Sequence, residues 1–377
     1  METLMENVAF QTGRTLATMN DILPVVARQS GTIPAISVII LNYNGIPWLK
    51  RCLASLRCQT LFDQIEVVVA DNASPDQSGS LAAELVRDWP RGYYLQNGAN
   101  LGYAGGNNRA AKQARGRYLL FLNNDTWLEP NCLEYLLQEA EASGAMAATP
   151  LLMDYADDTM QSTGGGGFDI FGLPISGPSQ WSHRQEIFSA SGASLLIRRD
   201  WFQKLGGFDD HFFMYADEED LCWRAKLAGG KVILAPSARL HHRGAASVNP
   251  NGGEKVIEKR TSDAKRFYAN RNCLLILLKN CQHLLLIMVP LQLIMLTVEA
   301  FFMGIILRRW SFIKRAYIEA VWDCWRLRRH IFAERLRVKK FRRHSDFWML
   351  RFLRPRLNRW HEIQNCQRHG FPKVDAK

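Results

Sequence analysis

An α/β fold with a mostly parallel sheet and helices on both faces is predicted by three observations. Short apolar, β-branched runs recur, each closes in polar turn residues, and a segment of helical spacing follows. The clearest run, Tyr118-Leu119-Leu120-Phe121-Leu122, ends abruptly in Asn123-Asn124-Asp125. A buried strand would carry those polar groups to the carboxyl edge of the sheet, where open α/β sheets bind ligands. An Asp there suits a divalent metal bridging phosphate oxygens; an Asn-Asp turn after a strand has the same composition.

Residues 36–41 form the first expected strand, closed by Asn42-Tyr43-Asn44-Gly45. Residues 48–61 follow as a helix, with Leu49, Cys52, Leu53 and Leu56 on one face. Residues 65–70 are a second strand, ending in Asp71-Asn72-Ala73-Ser74-Pro75-Asp76, before a helix from about 77 to 85. Residues 93–96 are a third strand. The Gly/Asn-rich stretch 97–108 is expected to be a loop that leads into a helix at 109–114. Residues 118–122 are the fourth strand, so the polar strand ends gather on one edge of a parallel sheet. A helix at 133–142 and a strand at 146–153 come next, then a flexible loop at Gly164-Gly165-Gly166-Gly167. A strand at 189–198, helices at 201–205 and 215–227, and a strand-like stretch at 231–234 complete the series. There is no internal repeat.

A chain of 377 residues can hold two domains, or one large α/β domain with an appendage. Its net charge of +11 is uneven: residues 308–377 carry 20 Lys and Arg against 6 Asp and Glu, a net +14, leaving −3 for residues 1–307. Such a tail suits nucleic acid, anionic lipid or an acidic protein, and charge alone does not choose among them. The preceding segment does. Residues 284–307 are overwhelmingly apolar, interrupted mainly by Pro290, Gln292, Thr297 and Glu299, and long enough to cross a bilayer. An anionic membrane surface is therefore the expected partner, and nucleic acid is not. The eight cysteines show no CxxC or zinc-like spacing, which fits reduced thiols in the cytosol. Residues 1–32 lack a continuous apolar core and do not read as a secretory signal. The expected organisation is an N-terminal extension (1–34), an α/β domain (35–282), an apolar membrane-associated segment (283–310) and a basic helical tail (311–377).

Asp217-Glu218-Glu219-Asp220 opens the helix that continues as Leu221-Cys222-Trp223-Arg224. The helix dipole favours some acid there, but four in succession exceed that need. Mutual repulsion should raise at least one carboxyl pKa, as a general base requires; a solvated helix start explains the same residues. His241-His242-Arg243-Gly244 follows a strand, where a His is either structural or a ligand. An Asp at the sheet edge, a distant His and a carboxylate base make up an inventory suited to metal-assisted group transfer from a diphosphate.

Five motifs in order carry a family resemblance: residues 37–44 (SVIILNYN), 68–74 (VVADNAS), 100–108 (NLGYAGGNN), 123–125 (NND) and 217–224 (DEEDLCWR), joined by 266–272 (RFYANRN). Over residues 36–281 the chain resembles the glycosyltransferase family 2 enzymes of GT-A (nucleotide-diphospho-sugar transferase) fold, particularly their rhamnosyltransferase-like bacterial branch. The resemblance implies that Asn42, Tyr43 and Asp71 hold the nucleoside of a nucleoside-diphosphate sugar, with Asn100, Gly102 and Asn108 along its ribose and diphosphate. Asn123-Asn124-Asp125 stands where the family has a DXD-like motif, with Asn in place of the first Asp. Asp125 is then the protein carboxylate on Mg2+ or Mn2+, with His242 closing the metal site and His241 as the competing assignment. Glu218 takes the position of the family's acceptor-activating base, with Asp217 as the alternate. Gly192 and Ser194 match an acceptor-side loop, and Asp220 and Arg224 organise the helix on that side.

The implied reaction is inverting transfer of a sugar, rhamnose by family branch alone, to a hydroxyl of a polymeric or lipid-linked saccharide in cell-envelope polysaccharide synthesis. A single crossing by residues 284–307 would separate the catalytic domain from the basic tail, although cytosolic donors and the Lys/Arg excess place both on the cytosolic side. A monotopic or re-entrant attachment to the cytoplasmic face of the membrane is therefore expected, with Pro290 as a break and Trp310, Trp322 and Trp325 near the headgroups. A buried core helix is the alternative. Among competing functions, a nucleotidyltransferase would need a basic Gly-rich loop near the first strand, and a nicotinamide-dependent oxidoreductase would need GxGxxG, which residues 102–106 lack. A catalytically silent sugar-nucleotide-binding scaffold would keep every donor-side residue.

Overall fold

The computed structural model describes residues 32–244, 260–359 and 373–374. Nearly all of the expected N-terminal extension, the end of the basic tail and Cys366 lie outside the described residues.

The first half alternates as read: β1 (Ile36–Asn42), α1 (Ile46–Arg57), β2 (Ile65–Asp71), α2 (Ser78–Val86), β3 (Gly92–Gln96), α3 (Gly102–Ala111) and β4 (Tyr118–Asn123). β1 pairs in parallel with both β2 and β4, and β2 with β3. The period-two alternation of each strand builds two cores. Ile36, Val38 and Ile40 pack with Leu120, Leu122 and the α1 residues Leu49, Cys52, Leu53 and Leu56 on one face. Ile39, Val68, Leu119 and Phe121 pack with Ala104 and Ala110 of α3 on the other. Each fully buried leucine of α1 contributes about 1.5–3 kcal/mol of transfer free energy.

The chain continues through β5 (Thr126–Leu128), α4 (Cys132–Ser143), β6 (Ala147–Asp154), β7 (Met160–Ser162), β8 (Gly165–Phe168), β9 (Pro174–Ser176), β10 (Gln185–Ile187), β11 (Ser194–Arg198), α5 (Arg199–Leu205), α6 (Asp217–Leu227) and β12 (Val232–His242). The main sheet runs β10-β12-β6-β11-β4-β1-β2-β3. β11 is antiparallel to both β4 and β6, β12 is parallel to β6, and β10, β5 and β7 add antiparallel edges, so the sheet is mixed, with a parallel core in which β1–β4, β6 and β12 point the same way.

Four local expectations change, the first being that the strand expected at 189–198 begins only at Ser194, as β11. The Gly/Asn-rich segment is helical from Gly102 rather than from residue 109. Its glycines serve close packing: a Cβ on Gly102 would strike the Phe213 carbonyl, and one on Gly106 would strike Leu41. Gly165 to Gly167 lie in β8, paired with β9, rather than in a loop. β12 runs well past residue 234 to His242, because a bulge between Ala235 and Arg239 lets pairing with β6 resume beyond Pro236.

The C-terminal helices are α7 (Asp263–Asn280), α8 (Met288–Leu307), α9 (Trp310–Ile313), α10 (Ala320–Arg326), α11 (Arg328–Phe341) and α12 (Asp346–Met349). Ser262 caps α7, its hydroxyl accepting from the Lys265 N–H. The third core joins Trp223 and Leu227 of α6 to Leu274–Leu277 of α7, and from there to Phe312, Tyr317, Ile331 and Val338. Pro290 breaks nothing, since it lies in the first turn of α8, where its missing N–H would have no helical partner.

Candidate functional site

The parallel register sets the donor-side candidates side by side. Asn42 is opposite Asp71, and Leu41 opposite Asn123. Asn42 is fully buried; its Nδ2 donates to Asp71 Oδ1 at 2.8 Å and to Ser78 Oγ at 2.8 Å, and its Oδ1 accepts from Asn124 Nδ2 at 2.9 Å. A Cβ at Gly45 would collide with both the Asn42 and Asn124 amides, so glycine lets them meet. Asp71 also receives the Ser74 hydroxyl at 2.6 Å, the Ser74 N–H at 3.0 Å and Gln96 Nε2 at 3.1 Å. Tyr43 is 45% exposed beside this buried chain. Asn72, with no role assigned from sequence, donates to Asn100 Oδ1 and to the Gly102 carbonyl, while Asn100 Oδ1 accepts the Gly102 N–H. Asn108 lies apart from this cluster: its amide ties α3 to Phe208 and Asp210.

Asp125 follows β4 directly and is 4% exposed. Its Oδ1 lies 3.4 Å from His242 Nε2 at the end of β12, and its carbonyl accepts the Arg243 N–H at 3.0 Å. Burial pushes the carboxyl pKa up, but His242 and Arg243 outweigh it and hold the group below its ordinary value. An ionised carboxylate facing an imidazole nitrogen is a donor set that fits Mg2+ or Mn2+ completed by phosphate oxygens. His241 is turned away, stacked on Trp127 at 3.7 Å with Nδ1 on the Asp154 carbonyl.

The acidic helix approaches from the other side. Gly192 lies against Glu218: its N–H donates to the carboxylate, and a Cβ there would sit 2.5 Å from Oε1. Tyr103 of α3 donates to the Gly192 carbonyl at 2.9 Å, and the Asn123 N–H donates to the Ala193 carbonyl at 3.0 Å. Residues 192–193 thus bridge Glu218 to the Asn123-Asn124-Asp125 turn. Ser194, which opens β11, is buried with its hydroxyl unpartnered among the described residues.

The four acids differ in state. Burial, more than repulsion, raises the Asp217 pKa well above the ordinary value, with Glu218 adding to it. Burial also raises Glu218, partly offset by hydrogen bonds from backbone N–H groups and Glu219. Glu219 is raised well above its ordinary value by burial and by Glu218. Asp220 moves the other way: burial is outweighed by Arg224 and Lys279. Asp220 and Arg224 are wholly buried. Asp220 Oδ2 accepts from Arg224 Nε at 2.8 Å and Lys279 Nζ at 3.1 Å, and Arg224 Nη1 donates to the Leu205 and Gly207 carbonyls. In this state they anchor α6.

Before α6 the backbone is strained, with Phe213, Tyr215 and Ala216 at φ of 64, 69 and 62°. Such non-glycine conformations cost about 1–3 kcal/mol each and persist only where the surroundings enforce them. Asn272 of α7 enforces them here, its Nδ2 lying 3.0, 2.8 and 2.7 Å from the Phe212, Met214 and Tyr215 carbonyls. Arg271 adds bonds to His211 and Phe212. Sequence reasoning gave these two residues no role, although the 266–272 motif was their signal.

Asp209, His211 and His330 could converge on a cation. The Asp209 carboxylate, however, already receives Lys279 Nζ at 2.5 Å, His330 Nε2 at 2.8 Å and both the backbone N–H and Nδ1 of His211. A buried ammonium on the same oxygen opposes a metal there, and the cluster reads as a polar link from α11 and α7 to the catalytic domain.

The fold also answers to known proteins. It matches a crystal structure of GalNAc-T7 with UDP, GalNAc and Mn2+ at a TM-score of 0.50 and 19% identity, covering 56% of this chain and 44% of that one. The architecture is that of a GT-A glycosyltransferase, with a C-terminal set of helices appended, of which α8 is strongly apolar. The glycosyl transferase family 2 profile matches residues 37–215. An N-acetylglucosaminyl-diphospho-decaprenol L-rhamnosyltransferase of Mycobacterium tuberculosis is 32% identical over 254 residues, 60% of this chain and 77% of that protein. The O-antigen biosynthesis protein RfbC of Myxococcus xanthus is 31% identical over 228 residues, 57% of this chain but only 18% of that much longer protein. The chain belongs to glycosyltransferase family 2 and falls with its rhamnosyltransferase-like members.

Proposed function

We propose that this protein transfers a sugar from a nucleoside-diphosphate donor to a hydroxyl of a saccharide acceptor, polymeric or lipid-linked, with inversion at the anomeric carbon, in cell-envelope polysaccharide synthesis. The observation that carries the reading is the bridge 192–193, which links a carboxylate of raised pKa, Glu218, to the edge that bears Asp125. On this reading Asn42, Tyr43 and Asp71 receive the nucleoside, with Tyr43 free to cover the base. Asn100, Gly102, Asn123 and Asn124 line the sugar-diphosphate. Asn108 acts only through the packing of α3. Gly192, Ser194, Asp220 and Arg224 shape the acceptor side, the last two by holding α6.

Glu218 accepts the proton of the acceptor hydroxyl as that oxygen bonds to the anomeric carbon and the bond to the diphosphate oxygen breaks. Asp217 is the alternate base, but its stronger tendency to stay protonated makes it the poorer one. Mg2+ or Mn2+ held by Asp125 and His242 would neutralise the charge that develops on the diphosphate. A rhamnosyl donor and a diphospho-lipid acceptor are favoured by the Mycobacterium relative's name. The test is nucleoside-diphosphate release by the full chain. Release that needs both a sugar nucleotide and a lipid-linked saccharide is expected, and no release with any donor and acceptor pair would overturn the reading.

For the location, we infer attachment to the cytoplasmic face with α8 lying in the plane of an anionic membrane surface. Residues 285–307 are apolar and long enough to cross, yet along α8 only Met288, Gln292 and Leu296 are buried, which disfavours a core helix. A crossing is opposed by the middle of α8. There Glu299 accepts from Tyr317 at 3.0 Å and pairs with Arg266 at 3.4 Å and Arg359 at 3.2 Å, so the centre of the helix is fastened to the protein. Phe301, Phe302, Ile305 and Ile306 are exposed on α8, as are Trp310, Trp322 and Trp325 further along, in the half of the chain that carries the positive charge. That combination of apolar surface and Lys/Arg is the pattern of interfacial helices. Flotation of the intact protein with anionic liposomes is expected, together with its loss in F301E/F302E. Equal flotation of the two would contradict the placement of α8.

A further inference from the structure

We propose that Gln161 is a positioning residue that fixes the His242 ring as a metal ligand, by holding it in the Nδ1–H tautomer with Nε2 bare towards Asp125. The proposal rests on the reading that Asp125 and His242 hold the divalent ion.

Gln161 grips His242 at two points. Its Nε2 donates to the His242 carbonyl at 2.8 Å, and its Oε1 lies 2.8 Å from His242 Nδ1. A carbonyl can only accept, so the first contact identifies the amide nitrogen and leaves the amide oxygen on the ring. An oxygen there requires Nδ1 to be the donor. In neutral imidazole the other nitrogen then carries a lone pair. That nitrogen, Nε2, lies 3.4 Å from Asp125 Oδ1. The Nε2 lone pair and the carboxylate thus face each other across a gap that either a proton or a metal ion fills, the proton accounting for the lowering of the Asp125 pKa by His242.

The backbone aims Gln161 for this purpose. β7 pairs with β6 through Leu152↔Ser162 and Met153↔Met160, which leaves Gln161 as the extra residue of a β-bulge. Bulges beside functional sites re-aim a side chain that regular pleating would send elsewhere. Gln161 is otherwise exposed, so core packing makes no demand for an amide here. Nor does it place the two ligands relative to each other, since the Arg243 N–H on the Asp125 carbonyl already joins β12 to that turn. What remains for Gln161 is the rotation and tautomer of the ring. Such outer partners of ligating histidines raise metal affinity by fixing ring orientation.

Two readouts test this in the full chain without reference to turnover. Imidazole 15N shifts of the metal-free protein, with His242→Asn to assign the signal, are expected to show the Nδ1–H tautomer in wild type and Q161E, and a mixed or inverted population in Q161M. Mn2+ alone, titrated by electron paramagnetic resonance, is expected to bind Q161M about 10–100-fold more weakly than wild type, and Q161E within a few-fold of it. An unchanged tautomer or an unchanged Mn2+ affinity in Q161M would overturn the assignment. Asp125→Ala separates the two levels: if it binds Mn2+ as tightly as wild type, the metal reading beneath the proposal fails, whatever the tautomer shows.

Discussion

Glu218→Gln should lower sugar transfer by about 10²–10⁴-fold, the usual contribution of a positioned general base, while donor binding and unfolding temperature stay close to wild type. The amide keeps the shape that fits against Gly192 and can still accept its N–H, so packing changes little. Lost is the ability to take the acceptor proton. The same carboxylate sets a pH dependence. A base works only when ionised, and burial raises the Glu218 pKa, so wild-type turnover should fall as pH drops through a value above the ordinary carboxylate range. Burial and Glu218 raise the Glu219 carboxyl in the same direction, so both acids favour protonation as the pH falls. A silent sugar-nucleotide binder would show neither the loss nor the acid limb. Rates of nucleoside-diphosphate release across pH, in wild type and Glu218→Gln, decide the matter.

Asp125→Ala should abolish the metal requirement for donor binding and lower transfer by on the order of 10²–10³-fold, as removal of one preorganised electrostatic group does. The variant leaves His242 and Gln161 in place but removes the only carboxylate of the Asn123-Asn124-Asp125 turn. A single carboxylate with one imidazole is a sparse set for a hard divalent ion, which then depends on the diphosphate for its remaining ligands. Metal and nucleotide should therefore bind cooperatively in wild type and independently in Asp125→Ala.

The candidate donor side was legible because its signals are local and the first half of the sheet is parallel. β1, β2 and β4 announce themselves by apolar runs that stop at Asn42, Asp71 and Asn123, and a parallel register brings those ends together without further information. The acid helix was legible in place but not in cause: repulsion among four acids was the expected source of a raised pKa, whereas burial leads for Asp217, Glu218 and Glu219. α3 was misread as a loop because Gly and Asn signal flexibility when tertiary contacts are unknown. Here those glycines let the helix touch Phe213 and Leu41. The contact of Gly192 with Glu218 depends on β11 running antiparallel between β4 and β6, a topological fact with no local sequence mark. Gln161 is hidden for the same reason, since a bulge is defined by the partner strand and not by the residue that occupies it.

The membrane face was half legible. Apolar length and basic charge are read directly from the sequence, but they fit a crossing as well as an interfacial helix. On the proposed placement the ion pairs of Glu299 favour the interfacial helix, and they join residues from α7, α8 and the tail that sequence spacing gives no reason to connect.

The measurement that tests the central claim most directly is the thermal unfolding midpoint of the full chain with a panel of sugar nucleotides, each with and without Mn2+ or Mg2+. At a hundred-fold excess over its dissociation constant, a ligand specific for the folded state adds about 2.7 kcal/mol of stability. At least one nucleoside-diphosphate sugar should raise the midpoint, more with the metal than without, and the metal's contribution should vanish in Asp125→Ala. If no sugar nucleotide or nucleoside diphosphate raised the midpoint with either metal, the assignment of the sheet edge around Asn42, Asp71 and Asp125 as a donor site would be wrong.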